Sequence, residues 1–263
     1  MADQNEMGTD ASFRRQSLYG QMGEPTYSGA LSFMRRKYTR DLTGVDLVVW
    51  GVPYDIATTN RPGSRFGPRA IRQASAIMSW DPACDWQGDP YEHVAVVDYG
   101  DAEIDFGVPH ELPREIEEQA TEILNHNVGL LTLGGDHFIT WPLLKAHVAK
   151  HGPLSLIHFD AHSDTWSDEE GEARIDHGTM FYHAVKEGLI DPKKSVQVGL
   201  RTTNDDPLGF NILSAPWVHE HGIEKTISTI RDVVGDHKCY LTFDIDCLDP
   251  CLLYTSDAAD EDC

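Results

Sequence analysis

The fold expected from this sequence is α/β: a single domain with a mostly parallel β-sheet and helices on both faces. Three observations predict it. Short apolar runs recur along the chain, segments with helical hydrophobic period lie between them, and the two alternate with regular spacing. Strands buried on both faces read as unbroken apolar runs, whereas covering helices need only one apolar stripe.

Taken in order, the first thirty residues are polar with scattered glycines and no apolar core for a signal peptide, so 1–30 is expected to be a loose or disordered arm. Residues 31–250 form the expected domain. Asp46 to Val52 reads as a buried strand. Gly63 to Arg72 follows as a loop entering a helix, with Pro68 suited to the first turn and Gly63 and Gly67 permitting a tight entry. His93 to Val97 is the next strand. A helix is expected over Leu112–Asn127, because Ile116, Ala120, Ile123 and Leu124 keep the helical spacing and Pro113 sits near its start.

A strand over 129–133, a helix from about Thr140 to Lys150 and a strand over 154–159 continue the alternation. Further along come a helix near 178–187, a strand over 195–199, a helix over 222–235 with Ile223, Ile227, Ile230 and Val234 in register, and a strand over 239–245. No internal repeat interrupts this order.

Three strand ends carry the chemistry. Strand 154–159 runs into Asp160-Ala161-His162-Ser163-Asp164, strand 129–133 into Gly134-Gly135-Asp136-His137, and strand 239–245 into Asp244-Ile245-Asp246. Fully extended, Asp160 and Asp164 would stand about 13 Å apart, so the chain must curl there for their oxygens to reach ligand distances of about 2.0–2.2 Å. Asp244 and Asp246, on one strand face, would be about 6.6 Å apart. That separation suits carboxylates flanking two metals about 3.5–4 Å from each other. Taken singly, each of these residues reads as a cap or turn residue. Together, at the carboxyl ends of parallel strands, they point to a ligand site, and four clustered carboxylates need cations between them to stay ionised.

Composition narrows the partners. Lys plus Arg number 21 against 43 Asp plus Glu, a formal charge of −22 in 263 residues, which disfavours nucleic acid and anionic membranes and favours neutral or cationic partners. Cysteines at 84, 239, 247, 251 and 263 show no paired spacing, so neither a disulfide framework nor a zinc ribbon is indicated and a cytoplasmic setting is expected. No stretch approaches a membrane span.

With these residues in hand, the sequence resembles the ureohydrolase family, the arginase and agmatinase group, from about Val48 to Pro250. The resemblance rests on Gly134-Gly135-Asp136-His137, on Asp160 to Asp164 and on Phe243-Asp244-Ile245-Asp246-Cys247-Leu248-Asp249-Pro250. It is nearer to the agmatinases through Phe159 to Thr165, Asp176 to Tyr182, Lys186 to Ile190 and Gln197 to Arg201. Trp166 stands where arginases carry a polar residue that reads the amino-acid end of arginine, which argues against that substrate.

What the resemblance implies is an arginase-like three-layer α/β/α fold holding two Mn2+ ions per subunit, with His137, Asp160, His162, Asp164, Asp244 and Asp246 as ligands. Ligand chemistry alone would also admit zinc, iron or cobalt. The implied reaction is attack of a metal-bridging hydroxide on a guanidinium carbon, converting agmatine and water to putrescine and urea, a step in polyamine biosynthesis. His177 matches the position that protonates the leaving amine, a task suited to imidazole; read by itself it is a residue at a helix start. Residues Asn204 to Phe210 are expected to form a loop near the mouth of the cleft, and family members assemble as homotrimers or homohexamers.

Guanidinobutyrate or another guanidino acid is the rival substrate, and a single-zinc deacetylase of arginase-like fold the rival enzyme. The likeness stops at Pro250. Residues 251–263 are expected to be a non-native, adaptor-derived tail, with the acidic partner of the guanidinium lying beyond the truncation. On that expectation the chain as it stands exposes an open strand edge and is poorly soluble or inactive, and a catalytically inactive metal-binding homologue is the non-enzymatic alternative.

Overall fold

The apolar runs named above mark parallel strands in the computed structural model, which describes residues 9–20, 23–79, 88–167 and 176–252, although the strand expected over His93–Val97 begins only at Val96 and runs on to Asp101. The chain divides into two units, Met1–Ile139 and Thr140–Cys263, each with its own four-stranded sheet.

In the first unit β1 (Lys37–Tyr38), β2 (Leu47–Val52), β3 (Val96–Asp101) and β4 (Gly129–Gly134) lie in the order β1-β3-β2-β4, all parallel. The short helix α1 (Ala11–Arg14) precedes them, α2 (Gly67–Ser75) follows β2, and α3 (Leu112–Leu124) follows β3. The apolar run in β2 is unbroken because both faces of the strand are covered: Val48, Val49, Trp50 and Val52 are all buried. On α3 the predicted stripe holds, with Ile116, Ala120, Ile123 and Leu124 buried. The two glycines before α2 act differently from one another. Gly63 has φ 140°, which favours glycine, but Gly67 is helical, and a Cβ there would lie 2.5 Å from the Gly134 carbonyl oxygen. Close approach of the helix to β4, not backbone freedom, requires that glycine.

Part of the stretch expected to be a loose arm is tied down. The buried Glu24 carboxylate accepts the backbone N–H groups of Asp10 and Ala11 at 2.6 and 3.1 Å and lies 3.5 Å from the buried Arg35 guanidinium. Arg36 stacks over the Tyr91 ring at 3.9 Å. Residues 1–8 and 21–22 of that arm lie outside the described residues, as does most of the expected tail, 253–263.

In the second unit β5 (Ser155–Phe159), β6 (Val196–Val198), β7 (Asn211–Leu213) and β8 (Cys239–Phe243) lie in the order β7-β6-β5-β8, again parallel. α4 (Thr140–His151), α5 (Met180–Lys186) and α6 (Ala215–Val234) accompany them. α6 starts earlier than its periodicity predicts: Ser214 caps it by accepting the Trp217 N–H, and a kink at Gly222 (φ 78°) joins its two halves. Only the later part of its stripe is covered. Ile230 and Val234 pack with Val196, Val198 and Leu213, while Ile223 is 74% exposed. β8 forms one edge of the sheet, with Leu241 and Phe243 exposed.

Candidate metal centre

β5 ends at Phe159, and the chain curls at once, as the ligand spacing requires. Asp164 takes a left-handed conformation (φ 52°), so the segment cannot continue as a strand. The Asp160 carboxylate accepts the His162 N–H at 2.6 Å across this turn. That local bond is the alternative to a strand ladder that Asp offers its own backbone. Asp160 is held from behind as well, its N–H donating to the Val198 carbonyl of β6 at 3.1 Å.

Asp244 and Asp246 do not sit on one strand face. β8 stops at Phe243, and the Asp244 side chain caps a tight 3-10 turn, Ile245–Cys247, by accepting the Asp246 N–H at 3.0 Å. The aspartate therefore ends the strand that its spacing predicts it to extend. The Asp244 N–H bonds the Phe159 carbonyl at 2.8 Å, and the Asp246 carboxylate accepts the Ala161 N–H at 3.0 Å. These two bonds register the end of β8 against the loop after β5.

Two overlapping groups of ligand atoms result in this unit. Asp160, His162 and Asp246 offer atoms within 4.8 Å of one another, and so do His158, Asp160 and Asp164. His162 Nδ1 lies 3.0 Å from Asp246 and 3.5 Å from Asp160. Asp160 belongs to both groups. The electrostatics favour a cation there: burial pushes the Asp246 carboxyl up to about 6, and the charges of Asp244 and Asp160 push the same way against the Ala161 hydrogen bond and His162. Mixed carboxylate and imidazole donors suit manganese, zinc, iron or cobalt, so the residues fit a divalent transition ion.

His137 belongs to the first unit, at the carboxyl end of β4, where it opens the 3-10 turn His137–Ile139. The turn is built by its neighbours. Gly135 has φ 60° and no room for a Cβ, which would meet the Val52 carbonyl oxygen at 2.4 Å. The buried Asp136 carboxylate accepts the N–H groups of Ala57 and Phe138, each at 3.0 Å, while burial pushes its carboxyl up to about 7. His177 is half-buried in the turn leading into α5. Its neighbour Gly178 accepts the Trp166 N–H at 3.0 Å, and Phe181 donates to the Asp164 carbonyl at 3.1 Å, so the turn is anchored to the ligand loop. Asn204 donates to Thr165 Oγ1 at 2.8 Å, placing the 204–210 loop beside the same segment. His158 was not foreseen, since an imidazole inside a strand reads as core; only its strand partner reveals what it does.

A parallel α/β protein whose strand ends gather carboxylates and imidazoles within ligand distance falls in the class of candidate metallohydrolases. The chain matches the Arginase family over residues 45–253, and it belongs to that family. An agmatinase of Chromobacterium violaceum is 55% identical over 251 residues, covering 95% of this chain and 77% of that protein. The crystal structure of a hypothetical agmatinase from Burkholderia thailandensis superposes with a TM-score of 0.90 at 57% identity, over 92% of this chain and 76% of the other. The proclavaminate amidino hydrolase of Streptomyces clavuligerus superposes with a TM-score of 0.79 at 35% identity, over 87% and 77%.

Proposed function

We propose that this chain hydrolyses agmatine to putrescine and urea at a centre holding two manganese ions. The observation that supports the reading is Asp160, whose carboxylate offers an atom within 4.8 Å of ligand atoms of His162 and Asp246 and of Asp164, so that it could serve two ions. Its 55% identity to an agmatinase supports the choice of substrate.

His137, Asp160, His162, Asp164, Asp244 and Asp246 would hold the ions in this reading. Bound there, a metal pair would supply acidity to water at neutral pH, the chemistry needed for a nucleophile toward the guanidinium carbon. The chain's own residues do the rest. The carboxylates attract the cationic substrate. His177 gives its proton to the amine nitrogen as the carbon–nitrogen bond breaks, so that putrescine leaves as an ammonium and urea remains. Trp166, 38% exposed, offers an apolar surface rather than a polar contact for a carboxylate, which favours agmatine over arginine.

Homotrimeric or homohexameric assembly and a cytoplasmic setting accompany this reading as family expectations. No helix among the described residues is long and apolar enough to cross a membrane.

The test is urea release from agmatine, guanidinobutyrate and arginine, compared as kcat/KM with manganese present. Agmatine should lead by at least about tenfold, equal to about 1.4 kcal/mol of transition-state discrimination. A preference for guanidinobutyrate would move the reading to the rival substrate. No urea from any of them would favour the inactive metal-binding homologue.

A further inference from the structure

His158 and Gln197 face each other across β5 and β6, both fully buried. Gln197 Nε2 lies 2.6 Å from the Ser163 carbonyl oxygen and 3.0 Å from His158 Nδ1. Only an NH2 group can face a carbonyl at that distance, which fixes the orientation of the amide. Its second hydrogen then points at His158 Nδ1, which must accept it. The imidazole hydrogen therefore sits on Nε2, and Nε2 is 2.7 Å from Asp160 Oδ2. The Phe181 ring, centred 4.6 Å from the imidazole, packs against it.

We infer that His158 is a positioning residue for the metal centre: Gln197 locks it in the tautomer that donates from Nε2, and that bond aims the carboxylate shared by the two ligand groups. The inference rests on the reading of this site as a metal centre. His158 offers a nitrogen near Asp160 and Asp164 and could be taken for a ligand. Its tautomer argues otherwise, since the nitrogen nearest Asp160 carries a hydrogen and the other accepts one from Gln197. A ligating imidazole needs a bare nitrogen turned to the ion.

This gives the centre a built-in orientation that does not depend on the ions. A carboxylate meant to serve two ions must present its oxygens in a fixed plane, and a strand-borne imidazole braced by its cross-strand neighbour is stiffer than a loop contact. Deleting such outer partners of metal ligands costs about 10–100-fold in metal affinity.

The experiment uses the full chain, stripped by chelator and titrated calorimetrically with Mn2+ at one fixed pH, with circular dichroism confirming the fold of each variant. His158→Leu should bind manganese 10–100-fold more weakly than the parent, with the number of ions unchanged. His158→Gln, whose amide can donate from nearly the same place, should recover most of that loss. Should His158→Leu fail to fold, Gln197→Leu keeps the imidazole but frees its tautomer, and should weaken binding by about tenfold, the lower end of the same range. Unchanged affinity in these variants overturns the positioning role, and so does loss of a whole ion in His158→Leu, which would make the residue a ligand. If the parent itself takes up no manganese, the metal-centre reading falls and the inference with it.

Discussion

The Asp246 carboxylate accepts the backbone N–H of Ala161 at 3.0 Å, joining positions 85 residues apart in the sequence. Through that bond the loop after β8 sets the loop after β5, and the candidate ligands on each are brought within reach of the other. Asp246→Ala removes both the brace and a ligand. It should weaken manganese binding by more than about 100-fold, beyond the range seen for outer partners alone, and lower urea release accordingly. Asp246→Asn keeps an acceptor for the Ala161 N–H and should retain the apo stability that the alanine variant loses.

The proton-donor role proposed for His177 is separable from metal binding. Substituted by Asn, it should cost about 10²–10⁴-fold in kcat, the usual contribution of a positioned acid, while manganese affinity stays at the parent value. Equal losses in metal binding and turnover would instead make it a structural part of the turn before α5.

How much of this was legible in the sequence varies by residue. Asp160, His162 and Asp164 stood out because ligand types at alternate positions directly after an apolar run have few structural explanations, and the forced curl follows from distance alone. Asp244 and Asp246 were found but misplaced, since nothing in the spacing says that Asp244 will cap its own turn and end the strand. His158 and Gln197 are 39 residues apart and become a pair only once β5 and β6 align. The three residues of β7 are too few to show a period. The first half of α6 is masked by Pro216 and Gly222, which look like breakers until one is seen in the first turn and the other at a kink.

The first unit depends on a buried ion pair. Arg72 donates to both oxygens of the fully buried Asp98 at 2.7 and 2.9 Å, and to Asp101 at 2.6 Å. Among the described residues, Arg72→Met would leave the Asp98 carboxylate with only backbone donors, those of Phe33 and Gly100. The expected loss of stability is about 3 kcal/mol, the lower end for breaking a buried pair, read as a shift in urea denaturation midpoint.

His147 is expected to contribute to acid sensitivity in the second unit. His147 is mostly buried between His151 and Tyr240, and burial lowers its pKa to about 4. The unfolded chain binds that proton near the ordinary value of about 6.5, whereas the folded chain does not until about 4, so stability falls as pH drops through this window. The contribution is on the order of 2–3 kcal/mol by pH 4. His147→Phe should flatten the profile between those values in denaturation measured at several pH settings, and an unchanged slope would assign the acid sensitivity to other groups.

Two ions sharing Asp160, as proposed, would form a magnetically coupled pair, and that is the most direct thing to measure. The chelator-stripped chain, titrated with Mn2+ and followed by low-temperature electron paramagnetic resonance, should take up two ions per chain and develop the multiline signal of a coupled pair. Uptake of a single ion, or of two that remain magnetically independent, would contradict a shared carboxylate at the centre.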